Sequence, residues 1–218
     1  MKYIVANWKA HFNLEELHAW IHEFSTLPLN KLVDEVEIII CPPYPFLHLI
    51  NEKLYHSTIK IGSQDVSSLE PGAYTGEVVA ESLIGIVDYA IVGHSERRSH
   101  FSESEEVIAK KCDRALKNHI RPILCVRNNS DVIYPSARLV AFEPVEAIGT
   151  DSNMPIEEVL KIRALLTLGA EQKFLYGGSV QQDNATEYLS SLDIDGVLVG
   201  GASLKPQELF SIALAAKV

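Results

Sequence analysis

Cysteine is scarce in this 218-residue chain: Cys41, Cys112 and Cys125 are all it has, and they lie far apart. No Cys-x-x-Cys occurs. That speaks against a zinc site or a disulfide-stapled scaffold, and for a reducing compartment, the cytoplasm. Long apolar runs are missing too. The most apolar stretches, such as Ile38-Ile39-Ile40-Cys41, are strand-sized and far short of the roughly 18 residues a membrane helix needs. The residues from Met1 to Asn7 have no extended apolar core and read straight into a strand, so no secretory leader is expected. Positive charge is in deficit: 19 Lys and Arg stand against 29 Asp and Glu, a net charge of −10. Neither nucleic acid nor a membrane is an expected partner for so acidic a chain. An anionic small molecule stays open, because a few backbone N–H groups suffice to hold a phosphate. The Gly-x-Gly-x-x-Gly turn of a dinucleotide-binding sheet is absent after the first strand.

What is present is an ordinary globular mix, 47% hydrophobic and 22% charged, broken into short β-branched runs. Strands are expected at 3–7, 36–41, 59–63, 89–92, 122–126, 139–142, 174–176 and 196–199. They read as near-continuous apolar segments, as in a parallel sheet buried on both faces. Helical stretches lie between most of them. Asn13 is placed to cap one, with Glu16 at the capping-box position and Phe12 against Leu17 as a staple. Ser102 with Glu105 opens another, with Val107, Ile108, Cys112, Ala115 and Leu116 as its apolar face. Pro155 suits the first turn of a third, and Pro206 that of the last. The expected fold is α/β, a compact (β/α)8 barrel near the lower end of the usual range of about 200 to more than 400 residues. An open doubly wound sheet is the rival. No composition break divides residues 1–218, so one domain is expected.

Gly93, Gly149, Gly177, Gly178, Gly200 and Gly201 fall at or just beyond strand ends. In a parallel barrel those loops form the catalytic face. A single glycine there is most simply a turn. The two Gly-Gly pairs, however, follow strands 7 and 8, where this architecture usually binds phosphate. The stretch from Gly201 to Leu204 also suits a short helix whose start favours an anion. Polar residues crowd the same ends: Asn7 and Lys9 after strand 1, His94 to Arg98 after strand 4, Glu143 after strand 6. A lysine, a histidine and a carboxylate on one rim suit an electrophile, an acid and a base. Each also has a plainer reading. Lys9 suits a solvated loop, His94 a hydrogen-bonded structural histidine, and Arg97 and Arg98 read as ion-pair residues. Glu143 directly follows an apolar strand, where an unpaired carboxylate is costly to bury.

Seven stretches, in order along the chain, resemble the triosephosphate isomerase family. They are Asn7-Trp8-Lys9, Thr75-Gly76-Glu77, Gly93-His94-Ser95-Glu96-Arg97-Arg98, Phe142-Glu143-Pro144-Val145, Ala147-Ile148-Gly149-Thr150, Tyr176-Gly177-Gly178-Ser179 and Gly196-Val197-Leu198-Val199-Gly200-Gly201. The resemblance implies a TIM barrel and an isomerase of glycolysis and gluconeogenesis. Its reaction interconverts dihydroxyacetone phosphate and D-glyceraldehyde 3-phosphate through an enediol(ate), with no cofactor and no metal. By the same resemblance Glu143 is the base and His94 polarises the carbonyl as neutral imidazole. Lys9 supplies positive charge, and Asn7 and Glu96 position Lys9 and His94. Backbone N–H groups of Gly149, Ser179, Gly200 and Gly201 hold the phosphate. The stretch 144–150 resembles the family's lid, with Ile148 and Leu198 as an apolar clamp on the carboxylate. The loop from Val66 to Glu77 resembles one that interdigitates between subunits, bringing Thr75 to the active site of a second copy, so a homodimer is expected.

The chain departs from the family pattern at three points. Glu146 stands where the lid usually has tryptophan, and Arg127-Asn128 replaces Gly-Glu after strand 5. The stretch 127–137, with Pro135, replaces a long helical excursion, as in short archaeal-like members, which form tetramers. The helix between strands 5 and 6 is therefore expected to be largely missing. Thinly covered strand surface and a tetramer through that face follow as further expectations. Two other readings stay open: another phosphosugar isomerase or aldolase on the same barrel, and a non-catalytic phosphate-binding relic. A Schiff-base aldolase needs a lysine late in a strand, and Lys9 is the near candidate. The presence of Glu143 and His94 weighs against a relic.

Overall fold

The computed structural model of the chain describes residues 1–56, 59–144 and 153–217. Its strands are β1 (Lys2–Asn7), β2 (Val36–Cys41), β3 (Ile59–Ser63), β4 (Tyr89–Val92), β5 (Arg121–Val126), β6 (Leu139–Phe142), β7 (Lys173–Tyr176) and β8 (Gly196–Val199). All pair in parallel with their sequence neighbours, and β8 returns to β1 to close the barrel. Closure brings Tyr3 opposite Gly196. A Cβ at that glycine would lie 2.0 Å from the Tyr3 carbonyl oxygen, so the seam requires glycine. The expected barrel is the observed fold, and the open sheet is excluded.

Two apolar layers explain the continuous strand runs. Inside the barrel, Val5, Ile39, Ile91, Ile123 and Leu175 pack with Tyr89 and Leu198. The outward residues, among them Ile4, Ile38, Ile40, Val92 and Leu124, pack under the helices. Every second residue therefore meets one core and its neighbours meet the other.

The helices are α1 (Leu14–Ser25), α2 (Leu47–Leu54), α3 (Ser95–His100), α4 (Glu105–Lys117), α5 (Ile156–Leu165), α6 (Ala185–Leu189) and α7 (Pro206–Leu214). Asn13 makes the expected capping box: its Oδ1 accepts the N–H groups of Glu15 and Glu16, and Glu16 accepts its own N–H at 2.8 Å. Pro206 occupies the first turn of α7 as expected, whereas Pro155 stands one residue earlier, at the N-cap of α5. The cap of α4 differs from expectation. Ser104, not Ser102, accepts the Val107 N–H, while Ser102 turns the chain at φ 54°. Helix α3 was not expected, since Ser-Glu-Arg-Arg-Ser-His has no apolar periodicity.

No residue from 127 to 138 is helical, in agreement with the expected loss of a helix between β5 and β6. The expectation of thinly covered strands there is corrected. All of β6 is buried, as is β5 apart from Arg121. Ile133 and Tyr134 tuck against the core in place of a helix. Side chains hold the irregular segment: Asp131 accepts from the Arg127 backbone and guanidinium, and Gln172 donates to the carbonyls of Tyr134 and Ala137. Between β3 and β4 the described helical structure is one 3-10 turn, Ala80–Leu83.

Candidate active site

The expected polar residues meet at the C-terminal ends of the strands. Asn7 ends β1, and its Oδ1 accepts the Lys9 N–H at 3.1 Å. Lys9 stands in the left-handed region at φ 53°, and its Nζ reaches Glu96 Oε1 at 2.5 Å. After β4, Arg98 ties the turn in place: Nε donates to the Gly93 carbonyl at 2.7 Å and Nη2 to that of Cys125 at 3.3 Å. Its Nη1 pairs with Glu105, and Arg97 pairs with Glu103 and Asp65. Both arginines are thus ion-pair residues, as the plainer reading has it.

His94 caps α3, and its Nδ1 accepts the Glu96 N–H at 3.3 Å. A ring nitrogen that accepts carries no proton, so the neutral imidazole holds its proton on Nε2. Nε2 faces Glu143 Oε1 at 2.9 Å. Glu143 Oε2 accepts the Ser95 N–H at 3.1 Å, and the Cys125 thiol donates to the same carboxylate. At 2% exposure Glu143 has no solvent to share its charge with, so these donors replace water. Burial presses the Glu143 pKa up, but His94, the Ser95 N–H and Cys125 outweigh it and hold the carboxyl below its ordinary value. For His94, burial presses the pKa down, and Glu143 with Glu96 lifts it above the ordinary imidazole value. Burial and Glu143 both push the Cys125 thiol well up, so it stays protonated and donates.

Gly177 makes room for the carboxylate. A Cβ there would lie 3.1 Å from Glu143 Cγ and 3.4 Å from Leu198 Cβ. Gly200 faces Lys9: a Cβ on it would lie 3.7 Å from Lys9 Cε. A Cβ on Gly201 would meet no atom within 4 Å, which leaves its backbone open to a ligand. Ser179 sits at φ 48° after β7. Ile148 and Gly149, with the rest of 145–152, lie outside the described residues. Ser95 and Cys125 are contacts of the carboxylate that the sequence reading did not assign. Their signal was position alone, beside His94 and at the end of β5.

The profile of the triosephosphate isomerase family matches residues 2–135 and 131–216. The triosephosphate isomerase of Hahella chejuensis is 36% identical over 99% of this chain and 98% of its own length. That of Dictyoglomus thermophilum is 36% identical over 97% of this chain and 98% of its own. The chain belongs to the triosephosphate isomerase family. Within it, the profile breaks and resumes at 131–135, inside the helix-free link between β5 and β6. The alignment to the Hahella triosephosphate isomerase runs over 246 positions against the 218 of this chain. Among the described residues, no group of three or more His, Cys, Asp or Glu is arranged to hold a metal ion, and no helix is long and apolar enough to cross a membrane.

Proposed function

We propose that the chain interconverts dihydroxyacetone phosphate and D-glyceraldehyde 3-phosphate with Glu143 as base, His94 as proton donor and Lys9 as fixed positive charge. The observation that carries this assignment is the 2.9 Å contact between His94 Nε2 and Glu143 Oε1, with the Lys9–Glu96 pair beside it. Acid and base satisfy each other in the free protein, and substrate enters by replacing that contact. Glu143 then takes a proton from the carbon beside the carbonyl. The C–H electron pair becomes a C=C bond, and the carbonyl π pair moves onto oxygen. The His94 Nε2–H stabilises that oxygen and moves protons between the two enediol oxygens, while the Lys9 ammonium offsets the charge developing there. Return of the proton from Glu143 to the neighbouring carbon completes the isomerisation with no net gain or loss.

Neutral imidazole fits the first turn of a helix. With substrate between the pair, the lift from Glu143 is lost. Burial and the partial positive charge of the α3 N-terminus then both disfavour imidazolium. Asn7 and Glu96 position Lys9 and His94. The phosphate is assigned to backbone N–H groups of Ser179, Gly200 and Gly201, and by family resemblance to Gly149. Ile148 joins Leu198 as the apolar clamp, which makes the carboxylate a stronger base on closing. A coupled assay of the purified chain, with a chelator present, is expected to show isomerase activity. Glu143→Gln is expected to lower kcat by at least about 10²–10⁴-fold. Near-wild-type turnover by that variant would overturn the assignment.

A homodimer and a cytoplasmic location belong to the same proposal. The three cysteines are free and buried. Residues 70–77 are all exposed, Tyr74 among them, at the tip of a loop closed at its base by the Ser67 N–H to the Val78 carbonyl. Such a tip suits insertion into a second copy. Extension to an archaeal-like tetramer rests on Val132, exposed on the β5–β6 link. Light scattering over a dilution series is expected to show a dimer. A fully active monomer would refute the loop assignment, and a dimer that never grows would refute the tetramer.

A further inference from the structure

Gln64 follows β3 and reaches across two neighbouring strand ends. Its Nε2 donates to the Cys41 carbonyl at the end of β2, 2.9 Å away, and to the Lys9 carbonyl beyond β1, 2.8 Å away. Both amide protons are therefore committed to main-chain oxygens. Cys41 also accepts the Trp8 N–H at 3.2 Å, so the Asn7–Trp8 peptide and the carbonyl of Lys9 are tied to one cluster. This matters because Lys9 is held at φ 53°, where side chains other than glycine are strained. Such a conformation persists only where the surroundings over-determine it. Asn7 holds the Lys9 N–H, Glu96 holds its ammonium, and Gln64 holds its carbonyl.

We infer that Gln64 is a positioning residue for Lys9: its two-pronged amide keeps the lysine backbone left-handed, which aims the ammonium along the rim between Glu96 and Gly200. The inference rests on the reading of Lys9 as the charge that meets substrate. Without the Gln64 donors, the Lys9 carbonyl loses its tether and the backbone relaxes toward an unstrained region. The ammonium then swings away from the position it holds in the folded site. A misplacement of about 1 Å near the chemistry costs on the order of 100-fold in rate.

The test compares Gln64→Glu, Lys9→Ala and the double variant by steady-state kinetics with D-glyceraldehyde 3-phosphate. Gln64→Glu keeps shape but turns an oxygen onto the two carbonyls in place of the donors. Its kcat is expected to fall by about 10- to 100-fold with KM little changed, because Lys9 acts on charge that develops during the reaction. In the Lys9→Ala background the same change is expected to have no further effect on kcat/KM, because it acts through the lysine. A rise in KM alone at unchanged kcat, or effects of the two changes that simply multiply, would overturn the inference. Should Gln64→Glu not fold, Gln64→Met has the same length without charge or donor and is read the same way. Failure of both to fold would mark Gln64 as structural and overturn the inference. If Lys9→Ala leaves both constants unchanged, the reading of Lys9 itself fails. If Lys9→Ala is impaired while Gln64→Glu is not, only the inference about Gln64 fails.

Discussion

At the N-terminal ends of the strands, charged and polar side chains mostly terminate on the main chain of a neighbour. Lys2 donates to the carbonyls of Ser191 and Ile194 at 2.6 Å each, and Asp195 accepts the Phe174 N–H at 2.8 Å. Inside that mouth the Tyr89 hydroxyl donates to Glu37, with Arg121 stacked 3.9 Å over the tyrosine ring. At the C-terminal ends, Lys9, Glu96, His94 and Glu143 terminate chiefly on one another. A bond to a strand backbone cannot be exchanged without opening the sheet. A bond between two side chains can be given up to a ligand and recovered. The same residue types therefore fasten one mouth of the barrel and leave the other ready for chemistry.

Substitutions should separate the two ends. The largest effect belongs to Glu143→Gln. Its loss of turnover, measured as kcat, is expected beside a small change in Tm. Glutamine keeps one acceptor oxygen for the Ser95 N–H and sheds the cost of a buried charge. Tyr89→Phe should do the reverse. It strips a donor from Glu37, a carboxylate only 9% exposed, and should cost about 1–3 kcal/mol in denaturant unfolding while leaving kcat/KM unchanged. A loss of activity without loss of stability would erase the distinction between the ends.

The smallest effect sharpens the comparison. Asp131 lies beyond β5, at the catalytic mouth, but it accepts the Arg127 backbone N–H as the other mouth's residues do. Asp131→Asn should cost about 1 kcal/mol at neutral pH with no kinetic effect. Burial works to raise the Asp131 pKa, and the bonds from the Arg127 side chain and N–H outweigh it, holding the value below the ordinary one. A lowered folded-state pKa gives stability that is present above the unfolded value of about 3.9 and lost as pH falls through the folded value. The gap between wild type and Asp131→Asn in unfolding titrations should therefore close in acid. A gap that widens in acid would be the wrong sign.

The strands were readable from residues alone because both faces of each are buried, which leaves runs such as Ile38-Ile39-Ile40 with no polar interruption. Asn13 and Glu16 carried the start of α1 because a capping box is written in four consecutive residues. Where structure depends on particular side-chain contacts and not on a periodic pattern, the reading failed. Helix α3 owes its existence to His94 as cap and to Arg98 bonded back to Gly93, neither of which is a periodic signal. The cap of α4 moved from Ser102 to Ser104 because Glu105 and Glu106 then fill the first turn. Covered strands β5 and β6 were misjudged because Ile133 and Tyr134 fold inward from an irregular segment. At the site, Lys9, His94 and Glu143 stood out as charges at strand ends. Gln64 did not, since a lone glutamine after a strand has no pattern until its two carbonyls are in place.

The pairing of β1 with β8 bears on how the protein is made. Lys9 follows the first strand and Gly200 the last, and they face each other only because Tyr3 and Gly196 have met across almost the whole chain. Bringing such remote segments together carries a loop-closure cost that local helices and neighbouring strands do not. A nascent chain that has emerged only as far as β6 already possesses Glu143 and His94, yet has no eighth strand to bring glycine up to the lysine. The approach of Gly200 to Lys9 is thus a late event of synthesis, and it should arrive in one step once β8 has left the ribosome.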